Sequence, residues 1–254
     1  MSEEVLTETD GGILLITLNR PDQRNAVNAA VARGVAEALD RLDDDDALQV
    51  GILTGAGKGF CAGMDLKAFV AGERPQVEGR GFAGIVQRGA RKPLIAAIEG
   101  FAVAGGFEVA LACDLIVAAR GARLGIPEVK RGLVAAGGAL IRLPRRIPYH
   151  LAMELALTGD PIDAERAHAV GLVNRLAEPG QAVAVARELA AAVVPNGPLA
   201  IAASKRILAE AGDWSQAEAW ERQGSISEPV FTSEDAREGA TAFAERRDPV
   251  WKGR

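Results

Sequence analysis

The chain has 254 residues, 48 % of them hydrophobic and 25 % charged, with a formal net charge of -5. That length and apolar content can bury a large core, and the acidic balance argues against a basic nucleic-acid surface. Cys61 and Cys113 lie far apart without CxxC spacing, so they read as reduced thiols of a cytoplasmic protein, not a disulfide framework or metal site.

The start, MSEEVLTETD, is acidic and polar and does not suit a secretory or transit signal. GILLITL (12–18) is predicted as a strand and NRPDQRN (19–25) as a turn. Helical periodicity follows from Ala26 to Leu42, with Val27, Val31, Val35 and Leu39 spaced four apart. DDDD (43–46) reads as a solvated loop, LQVGILTG (48–55) as a strand, and GAGKGFCAGMD (55–65) as a glycine-rich loop entering a helix. AGERPQVEGRG (71–81) is expected to be a mobile loop, and a helix is expected after it, ending near Arg91. Arg80, Arg88 and Arg91 in this stretch read as solvated charges in preference to partners of an acyl carboxylate.

Residues 94–119 are apolar enough to suggest a membrane span, but Glu99, Glu108 and Asp114 interrupt them, and charge at bilayer depth is costly. The run instead reads as a strand (94–98), a tight turn, a buried helix (106–112) and a second strand (114–119). Strands alternating with helices predict an α/β layered or spiral core. Beyond about 147 the pattern becomes helical, at 148–160, 163–172, 181–194, 198–211 and 213–223. VPNGP (194–198) marks the expected boundary between a core, 1–194, and a C-terminal helical region, 195–254.

Two glycine-rich loops invite a phosphate-binding reading, but GAGKGF and AGGFE match neither GxxxxGK[ST] nor a complete GxGxxG. No GxSxG elbow occurs, and His150 and His168 have no evident nucleophile partner, which leaves His168 a structural histidine and a two-histidine metal centre unsupported. Glycine also lets a ligand approach the backbone, and amides at a helix start are unpaired. Loops at 62–65 and 104–106 could therefore each aim one N–H at the same oxygen, although tight strand-to-helix turns use glycine too.

FCAGMDLKA (60–68), GFAVAGGFEVALACDLIVAA (100–119), LGIPEVKRGLVAAGGALIRLPRRI (124–147), LALTGDPIDAERAHAVGLVNRL (155–176) and EGATAFAERRDPVWKG (238–253) together resemble the crotonase superfamily, the enoyl-CoA hydratase/isomerase family. The resemblance runs nearly the whole chain in order, is nearest to enoyl-CoA hydratases, and in LPRRIP has a feature similar to carnitinyl-CoA dehydratases. It implies the ClpP/crotonase spiral of repeated ββα units, a C-terminal helical region used in trimerisation, and a homotrimer or dimer of trimers. It implies an acyl-CoA thioester as substrate, with coenzyme A part of that substrate and no separate cofactor or metal, and neither nucleic acid nor membrane insertion.

By motif position the resemblance assigns the backbone amides of Met64 and Gly105 to an oxyanion hole, and Glu108 and Glu128 to the catalytic acids. Arg24, Ala26, Ala62, Asp65, Leu66, Lys67 and Gly106 fall where the family contacts substrate and CoA. The implied activity is a hydro-lyase one, adding water across the 2,3-double bond of an enoyl-CoA in fatty-acid or related acyl-CoA metabolism. Competing readings are carnitinyl-CoA dehydration, 3-enoyl-CoA isomerisation and non-catalytic acyl-CoA binding. A peptidase on the same spiral would want a Ser–His–Asp set, for which no candidate stands out. Two departures are visible: Ala104 opens a glycine run usually of three, and VAAGG (134–138) lacks the family's proline, a change expected to bear on substrate choice.

Overall fold

Alternation within single strands explains the architecture. Leu94, Ala96 and Ile98 belong to one buried cluster, and Ile95 and Ala97 to another, because successive side chains of a strand point to opposite faces. A sheet buried on both faces needs cover on both, and the chain supplies it.

The computed structural model describes residues 4–254. In chain order the elements are β1 (Val5–Asp10), β2 (Ile13–Leu18), α1 (Ala29–Asp44), β3 (Val50–Gly55), α2 (Leu66–Val70), β4 (Gln76–Val77), β5 (Gly81–Phe82) and β6 (Leu94–Ile98). Then come β7 (Phe101–Val103), α3 (Gly105–Ala112), β8 (Leu115–Ala119), β9 (Arg123–Gly125), α4 (Ala139–Arg146), α5 (Tyr149–Thr158) and β10 (Ile162–Asp163). The chain closes with α6 (Ala164–Ala169), β11 (Arg175–Ala177), α7 (Ala182–Ala191), α8 (Pro198–Glu210), α9 (Gln216–Phe231) and α10 (Glu234–Glu245).

The main sheet has the order β1-β2-β3-β6-β8-β11. Only β1 runs antiparallel to its neighbour; the β2–β3, β3–β6, β6–β8 and β8–β11 pairs are parallel. A second sheet, β10-β9-β7, stands beside it, with β7 and β9 parallel. On one face of the main sheet α7 packs through Ala182, Ala186 and Ala190, whose four-residue spacing forms a stripe of methyl groups. On the other face the larger cluster includes Val31, Val35 and Leu39 of α1 and Phe107 and Leu111 of α3.

The apolar run 94–119 forms β6, β7, α3 and β8, so the strand-turn-helix-strand reading holds with an extra short strand. Among the described residues no helix is long and apolar enough to cross a membrane. Other expectations need correction. The helix expected from Ala26 starts at Ala29, because Asn28 caps it by accepting from the Val31 N–H at 2.9 Å while Val27 bridges to Met64. The acidic run is not simply solvated: Asp43 accepts from the backbone amides of Arg91 and Lys92. The stretch expected to form a helix up to Arg91 instead holds β5 and turns, with Phe82 to Val86 buried. Arg80 is only 3 % exposed and pairs with Asp40, while Arg91 pairs with Asp43 and Asp44. Both the opening strand β1 and the last helix α10 went unread, since a half-polar edge strand and a mixed helix carry little apolar period.

The C-terminal tail folds back on this last helix. Asp235, buried, accepts from the amides of Lys252 and Gly253, and the Trp251 ring donates to the Pro195 carbonyl at 2.7 Å.

Candidate active site

Three backbone crossings build the site. The stretch 24–27 runs beside 62–65: Ala62 N–H donates to Arg24 O at 3.1 Å, Val27 N–H to Gly63 O at 2.8 Å and Asp65 N–H to Val27 O at 2.9 Å. Cys61 in turn bridges to Ala102 of β7, and Val103 N–H donates to Cys61 O. This lays the turn at Gly63 against the start of α3. A β-carbon on Gly63, whose φ is 95°, would stand 2.9 Å from Gly105 N and 2.9 Å from the Ala104 methyl. Met64 N–H and Gly105 N–H are thus held by abutting turns. Among the described residues neither has a protein acceptor.

The strand-to-helix turn before Gly105 passes through Ala104 at φ 52° and ψ -135°, a positive-φ conformation outside the left-handed helical well that a side chain rarely adopts. A non-glycine residue held there stores about 1–3 kcal/mol of strain, more than the slight crowding expected from sequence.

Glu108 lies in the first turn of α3 and is only 4 % exposed. Its Oε1 accepts from Ala139 N–H at 3.2 Å, at the start of α4. Gly137 leaves no room for a side chain, since a β-carbon there would lie 2.8 Å from the Glu108 carboxyl carbon. Burial raises the Glu108 pKa above the usual carboxylate range, opposed by the Ala139 and Gly137 amides and by the Arg142 charge.

Glu128 follows Pro127 in the 3-10 turn Pro127–Arg131. Burial pushes its pKa up to about 7, with its own backbone amide opposing and the Glu108 charge adding to the rise. Its Oε2 is buried with no hydrogen-bond partner. An unpaired buried carboxyl oxygen is expensive unless something from outside completes it.

One cleft of about 2240 Å³ is lined by Arg24, Ala62, Met64, Leu66, Gly105, Glu108 and Glu128 together. Ala26, Asp65, Lys67 and Gly106 do not line it. Asp65 caps α2 through the amides of Lys67 and Ala68 and pairs with Arg20 at 3.0 Å, Ala26 offers its carbonyl to Arg20, and Lys67 is exposed. Gly106 packs against the Cys61 carbonyl. One lining residue, Arg142, escaped the sequence reading, whereas Phe82 falls in the segment 82–91 that it expected to line the acyl pocket. Phe82 covers Gly105, and Arg142 on α4 stands next to Glu108. The signal for Arg142 lay in its position four residues after Gly138, one helical turn, but only if a helix is placed there. His168 donates its Nδ1–H to Val173 O at 2.8 Å, as a structural histidine would.

Comparison with known proteins bears on the family and the fold. The enoyl-CoA hydratase/isomerase family model matches residues 8–254. A carnitinyl-CoA dehydratase of Salmonella arizonae is 44 % identical over 261 residues, covering 100 % of both chains. The crystal structure of an enoyl-CoA hydratase from Mycobacterium marinum superposes with a TM-score of 0.98 at 62 % identity, and that of a carnitinyl-CoA hydratase from Mycobacterium avium with 0.79 at 43 %, each covering 100 % of both chains. The chain has the crotonase fold and belongs to the enoyl-CoA hydratase/isomerase family.

Proposed function

We propose that this protein is a hydro-lyase that adds water across the 2,3-double bond of an enoyl-CoA thioester, or removes it in reverse. The observation that carries the reading is the opening of two acceptor-free amides and two acids with raised pKa into a single cleft. The thioester oxygen is placed at Met64 N–H and Gly105 N–H, which stabilise the enolate formed as water attacks C3. Glu108, whose carboxylate form the Ala139 and Gly137 amides and the Arg142 charge favour against burial, takes a proton from the water. Glu128, whose proton affinity burial and the Glu108 charge raise, delivers one to C2. Protons balance: one leaves water, one reaches carbon, and the cycle closes when a proton returns from Glu108 to Glu128. Arg24 at the cleft mouth and exposed Lys67 supply cationic groups for the ADP phosphates, and coenzyme A enters as part of the substrate.

Carnitinyl-CoA dehydration is the second reading, favoured by the name of the 44 % identical relative. In either case the chain acts as a homotrimer or a pair of trimers in the cytoplasm. Leu208, Trp220, Phe231 and Phe243, each at least 75 % exposed on α8–α10, supply apolar surface for that assembly.

The test is loss of enoyl-thioester absorbance with crotonyl-CoA and crotonobetainyl-CoA, run beside light scattering on the same sample. Hydration of crotonyl-CoA by a trimer or hexamer is expected; binding without absorbance loss would replace the reading with a non-catalytic binder, and a monomeric mass would remove the assembly.

The pH dependence follows from the same two acids. Hydration needs Glu128 protonated and Glu108 ionised, so kcat/KM is expected to fall above about pH 7 and again on the acid side. Stability moves separately. A carboxyl whose pKa is raised from 4.5 to about 7 in the fold favours folding below 4.5, and that contribution is lost as pH rises through 7. Glu128→Gln should therefore unfold at a higher temperature than the parent at pH 8, by about 2–4 °C, and equal it near pH 4.5. The figure corresponds to about 1 kcal/mol, reduced from the unscreened value because the carboxyl is only half-buried. Melting curves of the pair at both pH values check this.

A further inference from the structure

Arg142 is the cation next to Glu108, and its hydrogen bonds join two walls of the cleft. Its Nη2 donates to the Val86 carbonyl in the turn segment after β5, and its Nη1 donates to the Gly137 carbonyl at 3.3 Å. The same Nη1 fills the space a Gly138 side chain would need. Gly137 and Ala139 are in turn the residues that meet the Glu108 carboxyl, one by close packing and the other by its N–H. Among the described residues Arg142 has no carboxylate within ion-pair distance, so its guanidinium is spent on carbonyls of the walls.

Two carbonyls on different segments are matched by the planar fork of one guanidinium, which a flexible ammonium cannot reproduce. The charged groups around the pair are Glu128 on the 127–131 turn, Arg146 on the same helix, and Asp114 beyond it, paired with Lys205 at 2.6 Å. Among the described residues Arg142 is the one cation whose charge bears on Glu108.

We propose that Arg142 is a positioning residue for hydration: by tying Val86 O to Gly137 O it holds the 137–139 turn against Glu108 and aims that carboxylate at the attacking water. The assignment rests on the hydratase reading above. A carboxylate whose donors drift by an ångström loses most of its advantage as a base. Removing the neighbouring cation also makes Glu108 easier to protonate.

The experiment uses Arg142→Met and Arg142→Lys with crotonyl-CoA. Arg142→Met should lower kcat about tenfold or more with KM changed little, and should move the acid limb of the pH profile to higher pH. Arg142→Lys keeps the charge but not the fork, so the limb should stay while kcat recovers only in part. In a Glu108→Gln background Arg142→Met should cost less than about twofold, because residues acting as a unit are not additive. A kcat within twofold of the parent, an unmoved acid limb in Arg142→Met, or an equal loss in the Glu108→Gln background overturns the assignment. If Glu108→Gln itself turns over, the hydratase reading falls first; if Glu108→Gln is inactive and Arg142→Met normal, only the role of Arg142 falls.

Discussion

Glu108→Gln and Glu128→Gln should each lower kcat/KM for crotonyl-CoA by about 10²–10⁴-fold, the range of a positioned general acid or base. Glutamine keeps the shape of both side chains and can still accept from Ala139 N–H, so the fold should survive. What is lost is the exchangeable proton. A neutral amide in place of the Glu108 carboxylate cannot take a proton from water, and an amide in place of the Glu128 carboxyl has none acidic enough to give to C2. The double variant should be little slower than either single one, since the two carboxyls handle one transition state. Steady-state absorbance assays of the three variants, with melting curves as the control for folding, decide the matter. Turnover near the parent rate in either single variant would remove the two-carboxyl mechanism.

Gly63→Ala should be nearly as damaging, by a different route. The new methyl would meet Gly105 N and the Ala104 Cβ at 2.9 Å, and a backbone nitrogen cannot move aside as a flexible side chain can. Pushing the two turns apart separates the Met64 and Gly105 amides. Losing one oxyanion donor costs about 3–4 kcal/mol, or about 10²–10³-fold in kcat. Gly72 supplies the control, because its φ of 93° almost equals the 95° of Gly63 but its β-carbon would meet nothing within 4 Å. Gly72→Ala should share the backbone strain and lose stability, with kcat unchanged. If both variants keep kcat, the amides of Met64 and Gly105 do not form the hole. If both lose it equally, strain and not separation is the cause.

The residue order carried much of this protein. Short continuous apolar runs placed β2, β3, β6 and β8, and helical apolar spacing placed α1, α3, α5 to α8 and the first half of α9, because burial on a repeating backbone leaves a repeating pattern. The in-order motifs carried the family, and with it Glu108, Glu128, Met64 and Gly105 as residues of one cleft. Other features had no local signature. Folding alone brought Arg80 to Asp40 and Arg91 to Asp43 and Asp44, ion pairs between segments 40 to 48 positions apart in the chain. It likewise turned the segment after β5 into buried turns where a helix was expected, set Arg142 between Val86 and Gly137, and left Glu128 Oε2 buried without a partner. The physical reason is the range of each interaction. Periodicity is a property of neighbours along the chain, whereas proton affinity, charge pairing and close backbone approach depend on what distant segments bring near, and that is known only once they have packed.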